Sequence, residues 1–151
     1  MPDARLIDSN ANFAAFSHIL DARVLRALAD LGFAKPTLVQ TKAIPLALEN
    51  RDILARARTG SGKTAAYCIP VVQKILNAKS VSCTTNRLHA LLTVMTQNLD
   101  ISDGATRALI LVPTRELSEQ VHGHLRSLLK YCESEIAVAN VCSGTTNHLQ
   151  R

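Results

Sequence analysis

Residues 56–65, Arg-Ala-Arg-Thr-Gly-Ser-Gly-Lys-Thr-Ala, bring small residues, glycines, a lysine and hydroxyls together in one short stretch. Gly60 and Gly62 allow the backbone to curl without Cβ clashes, so consecutive N–H groups can surround an anion. Lys63 supplies a positive charge, and Thr64 supplies a hydroxyl suited to a Mg²⁺ ion. The stretch therefore predicts a loop that binds the phosphates of a nucleotide.

The alternative interpretation of this stretch is a flexible glycine turn without a ligand. A fixed five-residue string such as 60–64 occurs by chance at about one position in a million, given ordinary residue usage. A helical pattern follows the string, and a helix N-terminus directs N–H groups and a positive dipole end at an anion. Ala57 replaces the first glycine of G-x-x-x-x-G-K-[ST], which lowers the specificity of the general motif. Phosphate binding is still the favoured interpretation.

A second candidate site is residues 32–40, Gly-Phe-Ala-Lys-Pro-Thr-Leu-Val-Gln. The amide of Gln40 has the donor and acceptor needed to pair with N6 and N7 of adenine. The ring of Phe33 could stack on the base, an interaction that contributes roughly 1–3 kcal/mol. From the residues alone, Phe33 could equally be a core residue and Gln40 a solvated helix residue.

A third candidate site is residues 112–120, Val-Pro-Thr-Arg-Glu-Leu-Ser-Glu-Gln. Thr114 and Arg115 follow an apolar run, at the edge where open α/β sheets bind ligands. Arginine at such a position suits a phosphate backbone. A helix N-cap followed by the solvated charges Arg115 and Glu116 explains the same residues equally well.

Three short β-rich runs, at residues 52–57, 107–113 and 136–141, alternate with helical patterns. The helices are predicted over about 63–76, where Pro70 could kink or shorten the helix, and from Thr114 onward, with apolar residues at three- and four-residue spacing. This order is typical of βαβ units. The sequence predicts an α/β domain with a parallel sheet flanked by helices.

Two further helices are predicted before the first run, and they would form a layer in front of the α/β unit. The first begins after Asp21 as N-cap and ends at Gly32, and the second covers about 37–48. Residues 79–106 are predicted to be an inserted loop. One short amphipathic helix is expected inside it, marked by Leu88, Leu91, Leu92 and Met95.

The composition fits one soluble domain, since 47% of the 151 residues are hydrophobic and 19% are charged. The sequence has no basic and apolar leader and no run of about 18 apolar residues, so no membrane association and an intracellular location are expected. The four cysteines form no C-x-x-C pair and complete no zinc spacing. A net charge of +5 is compatible with a nucleic-acid partner but is weak evidence by itself.

Taken together and in this order, the three stretches resemble the DEAD-box RNA helicases of superfamily 2. Residues 32–40 resemble the Q motif of that family, residues 57–64 its motif I, and residues 113–120 its motif Ia. The resemblance covers most of the chain outside the insertion and implies the amino-terminal part of a RecA-like P-loop domain, incomplete within residues 1–151. The longer run from Lys35 to Tyr67 is most similar to a nucleolar subgroup that acts in large ribosomal subunit biogenesis.

The resemblance also implies roles for individual residues. Residues 59–64 would hold the phosphates of ATP, with Lys63 and Thr64 taking part in catalysis and Thr64 binding Mg²⁺. An RNA partner, expected to be pre-ribosomal RNA, would contact residues 114–116. The predicted site residues are Phe16, Phe33, Thr37 and Gln40 for adenine, Thr59, Gly60, Ser61, Gly62, Lys63 and Thr64 for phosphate and Mg²⁺, and Thr114, Arg115 and Glu116 for RNA.

These 151 residues contain no Asp-Glu-Ala-Asp and no Ser-Ala-Thr sequence. By resemblance, a full-length relative would be an ATP-dependent RNA helicase of the nucleus and nucleolus, assisted by ribosome-assembly factors. The isolated chain is expected to be a monomer that binds nucleotide weakly without hydrolysing it, because phosphoryl transfer depends on the parts that these motifs supply. Two alternatives stay open, a non-catalytic binding module and an unrelated P-loop kinase.

Overall fold

The computed structural model describes residues 6–89 and 106–143. Within those ranges the chain forms four α-helices and two short 3-10 helices, the latter at Phe13–Phe16 and Val141–Ser143. The α-helices are α1 (Ala22–Asp30), α2 (Leu38–Leu48), α3 (Lys63–His89) and α4 (Arg115–Leu128). In this part of the chain, no helix has the length and hydropathy needed to cross a membrane.

The starts of α1, α2 and α4 agree with the sequence prediction because each has a polar residue at its N-cap. Asp21 accepts a hydrogen bond from the Arg23 backbone N–H at 2.9 Å, and Thr114 accepts one from the Leu117 N–H at 3.2 Å. Thr37 precedes α2 in an extended conformation. These bonds satisfy backbone donors that have no partner within a helix. Gly32 ends the α1 segment at a φ of 75°, as predicted.

Helix α3 is the central element and contacts α1, α2 and α4. Its residues Cys68, Ile69 and Val72 are almost completely buried. They belong to one core cluster with residues of α1 and α4, including Leu28 and Leu128, both 0% exposed. The start of α1 is also tied to α3, because the Asp21 N–H donates to the Gln73 side-chain oxygen at 2.6 Å. Helix α3, which follows the glycine-rich turn, is thereby fixed to the body of the protein.

The predicted end of this helix near Leu76 was wrong, because α3 continues to His89, so residues 79–89 are helical where a loop was predicted. Pro70 lies inside α3 without ending it. Extending an existing helix adds a hydrogen bond for each residue fixed, so it is easier than starting a new one. The predicted short helix at Leu88–Met95 falls mostly on residues 90–105, outside the described ranges.

None of the three β-rich runs is assigned as a strand within the described residues. The β pairing found there is an isolated antiparallel bridge between Ile7 and Thr37. In the second run, Ile110 and Val112 pack against the core, whereas Leu109 and Leu111 are 77% and 83% exposed. This alternation is typical of strand backbone with one covered face. Since no strand is assigned in the described residues, the predicted parallel sheet is not observed there and stays a prediction.

Candidate nucleotide and RNA site

The glycine-rich turn connects the first β-rich run to α3, which begins at Lys63. Gly60 and Gly62 have φ values of 77° and 83°, in the left-handed region that side chains with a Cβ rarely adopt. A Cβ on Gly62 would lie 2.5 Å from Gln40 Nε2 and 3.0 Å from Thr37 Oγ1. Both the backbone angle and the lack of space therefore require glycine at position 62.

Gln40 is buried at 3% exposure, so the interpretation as a solvated helix residue was wrong. Its side-chain oxygen accepts a hydrogen bond from the Thr37 backbone N–H at 2.9 Å. Its Nε2 donates to the Gly62 carbonyl oxygen at 3.1 Å. One side chain thus connects the start of α2 to the phosphate loop.

Two buried hydroxyls in this region lack partners in the described part of the chain. Thr37 Oγ1 faces the start of α2 without a well-formed hydrogen bond, and Ser61 Oγ lies inside the glycine-rich turn. Their residues are 1% and 5% exposed. Because a buried polar group without a partner is costly, both hydroxyls favour a ligand that would bond to them.

Lys63 folds back over the loop, where its Nζ donates to the carbonyl oxygens of Ala57 and Arg58, both at 2.6 Å. The ammonium group is therefore held above the turn whose N–H groups would face a phosphate. It would have to exchange these carbonyl oxygens for phosphate oxygens on nucleotide binding. A cation can make this exchange readily, because a phosphate is the stronger acceptor for a charged donor.

Thr64 is half-buried in the first turn of α3. Burial raises the pKa of the neighbouring Tyr67, and the Thr64 hydroxyl partly opposes that shift. Among the described residues no group of three or more His, Cys, Asp or Glu side chains could hold a metal ion. A Mg²⁺ ion that arrives with a nucleotide needs few protein ligands, because phosphates and water fill most of its shell. The Thr64 hydroxyl fits that requirement.

The two predicted adenine-stacking residues lie in different surroundings. Phe16 is 8% exposed and belongs to the core cluster, with its ring 6.0 Å from that of Phe13. Phe33 is half-buried, packs against the core, and has its ring centre 6.1 Å from that of His124 on α4. The partial burial of Phe33 agrees with the alternative interpretation as a core residue, and no described contact joins either ring to the phosphate loop. Adenine stacking therefore stays a prediction for both.

The third candidate stretch lies at the exposed start of α4. Thr114 caps the helix, and Arg115 and Glu116 are exposed. The Arg115 guanidinium pairs with Glu119 at 3.4 Å, with both side chains more than half exposed. An exposed pair of this kind is weak, so Arg115 is free to exchange its partner for a phosphate. The geometry fits both RNA contact and ordinary helix capping.

Sequence reasoning missed a bridge beside this stretch. Ser118 Oγ donates to the Asn140 side-chain oxygen at 2.8 Å, and the same oxygen accepts from the Cys142 N–H at 3.0 Å. Nothing in the sequence signals this contact, because the two side chains are 22 positions apart and Asn140 belongs to none of the three candidate stretches.

The glycine-rich turn at the start of α3 has the residue types and spacing of a phosphate-binding loop. A family model described as DEAD/DEAH box helicase matches residues 37–151. The chain therefore belongs to the DEAD/DEAH box helicase family. This result argues against the alternative of an unrelated P-loop kinase.

Similar proteins agree with this family. The chain is 48% identical over 145 residues to the ATP-dependent RNA helicase DBP9 of Cryptococcus neoformans, covering 95% of this chain and 21% of that protein. It is 44% identical over 142 residues to the protein of the same name from Kluyveromyces lactis, covering 93% and 21%. The chain thus spans about a fifth of the length of these relatives.

Solved structures show the same relationship. A DEAD box protein from Methanococcus jannaschii matches with 36% identity and a TM-score of 0.53, covering 78% of this chain and 25% of that one. A hypothetical ATP-dependent RNA helicase from Sulfolobus tokodaii matches with 31% identity and the same TM-score, covering 74% and 25%. These similarities support the helicase-domain fold predicted from the sequence.

Proposed function

We propose that this chain supplies the ATP- and RNA-binding part of an ATP-dependent RNA helicase. The observation that carries the proposal is the contact between the buried Gln40 amide and the Gly62 carbonyl oxygen. This contact holds a candidate adenine reader and a candidate phosphate loop in one rigid unit. The names of the DBP9 relatives support the same activity.

In the proposed complex, Lys63 binds the outer phosphates and the N–H groups of residues 59–64 surround them. Thr64 would contribute one hydroxyl to a bound Mg²⁺, which would supply positive charge against that of the phosphates. The hydroxyls of Thr37 and Ser61 gain the partners that they lack. Gln40 pairs with adenine through the N–H and the oxygen lone pair that its two present bonds leave unused.

RNA binds at the exposed start of α4 through residues 114–116, where Arg115 contacts a backbone phosphate. The net charge of +5 favours the approach of this polyanion. By resemblance to the nucleolar subgroup, the RNA is pre-ribosomal, the location is the nucleolus, and ribosome-assembly factors are further partners. The chain itself acts as a monomer in this proposal.

We further propose that these 151 residues bind ATP without hydrolysing it. They contain neither an Asp-Glu-Ala-Asp nor a Ser-Ala-Thr sequence. Catalysis of phosphoryl transfer requires groups that position the attacking water and complete the metal site, and such motifs supply them. Release of phosphate from ATP by the purified chain would contradict this proposal.

The test of nucleotide binding is titration of the purified chain with a fluorescent ATP analogue and Mg²⁺, with GTP as competitor. Lys63→Ala and Gln40→Ala should each weaken binding about tenfold or more, since each removes a hydrogen bond to the ligand that no other group replaces. Lys74→Ala is the matched control, because Lys74 is exposed on the same helix. GTP should compete poorly.

A folded chain that binds no ATP analogue would refute the proposal. Equal competition by GTP would refute the role of Gln40 in adenine recognition and leave the phosphate loop intact. ATP binding without any RNA binding would instead support the alternative, a nucleotide-binding module without helicase function.

A further inference from the structure

The Asn140 side-chain oxygen joins two parts of the chain beside the proposed RNA site. It accepts a hydrogen bond from Ser118 Oγ at 2.8 Å and a second from the Cys142 backbone N–H at 3.0 Å. Ser118 lies in the first turn of α4, and Cys142 lies in the 3-10 turn Val141–Ser143. One carbonyl oxygen therefore fixes the 3-10 turn to the start of α4.

This turn lies on the protein surface. Val141 is 76% exposed, and Cys142 is exposed as well. The turn contacts α4. Ser118 is three residues from Arg115, so Ser118 and Arg115 lie on the same side of the helix. The bridge thus holds the exposed turn next to the residues proposed to meet RNA.

The Ser118–Asn140 hydrogen bond contributes little to holding α4 in place. Val121, Leu125 and Leu128 bury this helix in the core, and Thr114 caps its first turn. Apolar contacts of this extent hold a helix in place without a single partly exposed hydrogen bond. The main effect of the Ser118–Asn140 hydrogen bond is on the position of the turn, because the exposed side chains of the turn contribute little packing of their own.

We propose that Ser118 and Asn140 are positioning residues for RNA binding. Their hydrogen bond holds the Val141–Ser143 turn beside Arg115, so the turn and the start of α4 form one surface for a backbone phosphate of RNA. Neither residue needs to touch the RNA. This inference rests on the proposed RNA-binding function of residues 114–116.

The test measures binding of the complete 151-residue chain to a fluorescent single-stranded oligouridine, in the presence of an ATP analogue and Mg²⁺. Ser118→Ala and Asn140→Ala should each weaken RNA binding roughly fivefold, the effect of losing one ordinary hydrogen bond. The double variant should be no weaker than the single ones, because both remove the same contact. Ser118→Thr, which keeps a hydroxyl, should restore most of the affinity.

Ser127→Ala is the matched control, since Ser127 is also on α4 and its hydroxyl donates to the Gly123 carbonyl oxygen at 3.0 Å. It should leave RNA binding unchanged. ATP-analogue binding and the Tm should stay the same in all variants, which separates positioning from general loss of structure.

Unchanged RNA affinity in the Ser118 and Asn140 variants would overturn the inference, and so would a loss of affinity that follows a lowered Tm. In both cases the parent chain still binds RNA, and the proposed function stands. Failure of the parent chain to bind RNA would instead refute the RNA-binding function and this inference with it.

Discussion

The side-chain amide of Gln40 donates a hydrogen bond to the Gly62 carbonyl oxygen across 22 positions of sequence. The donor is buried at the start of α2, and the acceptor lies in the turn that precedes α3. Helix α2 therefore supports the phosphate loop directly. Any change in the position of Gln40 on ligand binding would be transmitted to the loop through this bond.

This contact makes Gly62 sensitive to the smallest side chain. We expect Gly62→Ala to lower the free energy of unfolding by about 1–3 kcal/mol, through strain at positive φ and a clash with the Gln40 amide. ATP-analogue binding should be lost as well. Urea denaturation measures the first effect, and fluorescence titration measures the second.

Gly123→Ala provides the matched control for this substitution. Gly123 lies in the interior of α4, and a Cβ there meets nothing within 4 Å. Alanine should stabilise this helix by roughly 0.5–1 kcal/mol. If the two variants had the same stability, the close approach of Gln40 to Gly62 would not exist in solution.

The sequence was sufficient to predict features that depend on neighbouring residues. The N-caps at Asp21 and Thr114, the helix end at Gly32 and the glycine-rich turn at Gly60 and Gly62 all agree with the structure. Each results from a local backbone requirement that only a few residue types satisfy. Such requirements can be recognised in the sequence without knowledge of the tertiary fold.

Features that depend on distant residues could not be predicted in the same way. The Gln40–Gly62 and Ser118–Asn140 hydrogen bonds have no signal in their own segments. The β-rich pattern of residues 107–113 predicted a strand, which is not assigned there. Pairing into a sheet depends on neighbouring strands, and none is assigned in the described residues.

The exposed side of the second β-rich run gives a prediction about stability and association. Leu109 is 77% exposed, whereas the adjacent Ile110 packs against the core. Leu109→Ser should change the free energy of unfolding by no more than about 0.5 kcal/mol, and Ile110→Ser should cost at least about 1 kcal/mol. Urea denaturation measures both values.

Leu109→Ser should also reduce self-association at high concentration, because it removes part of an exposed apolar surface. Light scattering at increasing protein concentration tests this effect. If Leu109→Ser lowered the free energy of unfolding as much as Ile110→Ser, the side of the run that carries Leu109 would be covered in solution.

The ion pair at the start of α1 gives a pH-dependent prediction. Arg23 contacts the Asp21 carboxylate at 2.8 Å, and its hydrogen bond lowers the pKa of Asp21 below the usual 3.8. A carboxylate with a lowered pKa in the folded state adds stability above about pH 4, and this stability is lost as the pH falls through the folded pKa. The side chains are partly exposed, so the gain is at most about 1 kcal/mol.

Asp21→Asn tests this pair, because asparagine keeps the N-cap oxygen but has no charge. The variant should be less stable than the parent at pH 7, and the difference should disappear as the pH falls below the lowered pKa of Asp21, where the parent carboxylate is protonated. Urea denaturation at several pH values provides the comparison. A difference that is the same at all pH values would assign the effect to the cap alone.

His124 gives a second pH-dependent prediction, for a side chain that gains its charge on protonation, whereas Asp21 loses its charge. Burial lowers the pKa of His124 below its usual 6.5, and its Nε2 has no hydrogen-bond partner in the described part of the chain. The unfolded chain therefore takes up a proton at this residue more readily than the folded chain. Stability should fall as the pH decreases from about 7 through 6.5, because protonation favours the unfolded state.

Replacing His124 with glutamine should flatten this dependence between about pH 7 and pH 5, because glutamine does not titrate. His18→Gln is the matched control at an exposed position. The free energy of unfolding from urea denaturation at half-unit pH intervals gives the slopes.

Since the His124 ring contacts Phe33, ATP-analogue affinity measured over the same range also tests the role of Phe33. If the affinity falls in the parent as His124 is protonated but stays constant in His124→Gln, this result would support a role of Phe33 in binding the base. The same pH dependence of affinity in the parent and in the variant would contradict that role.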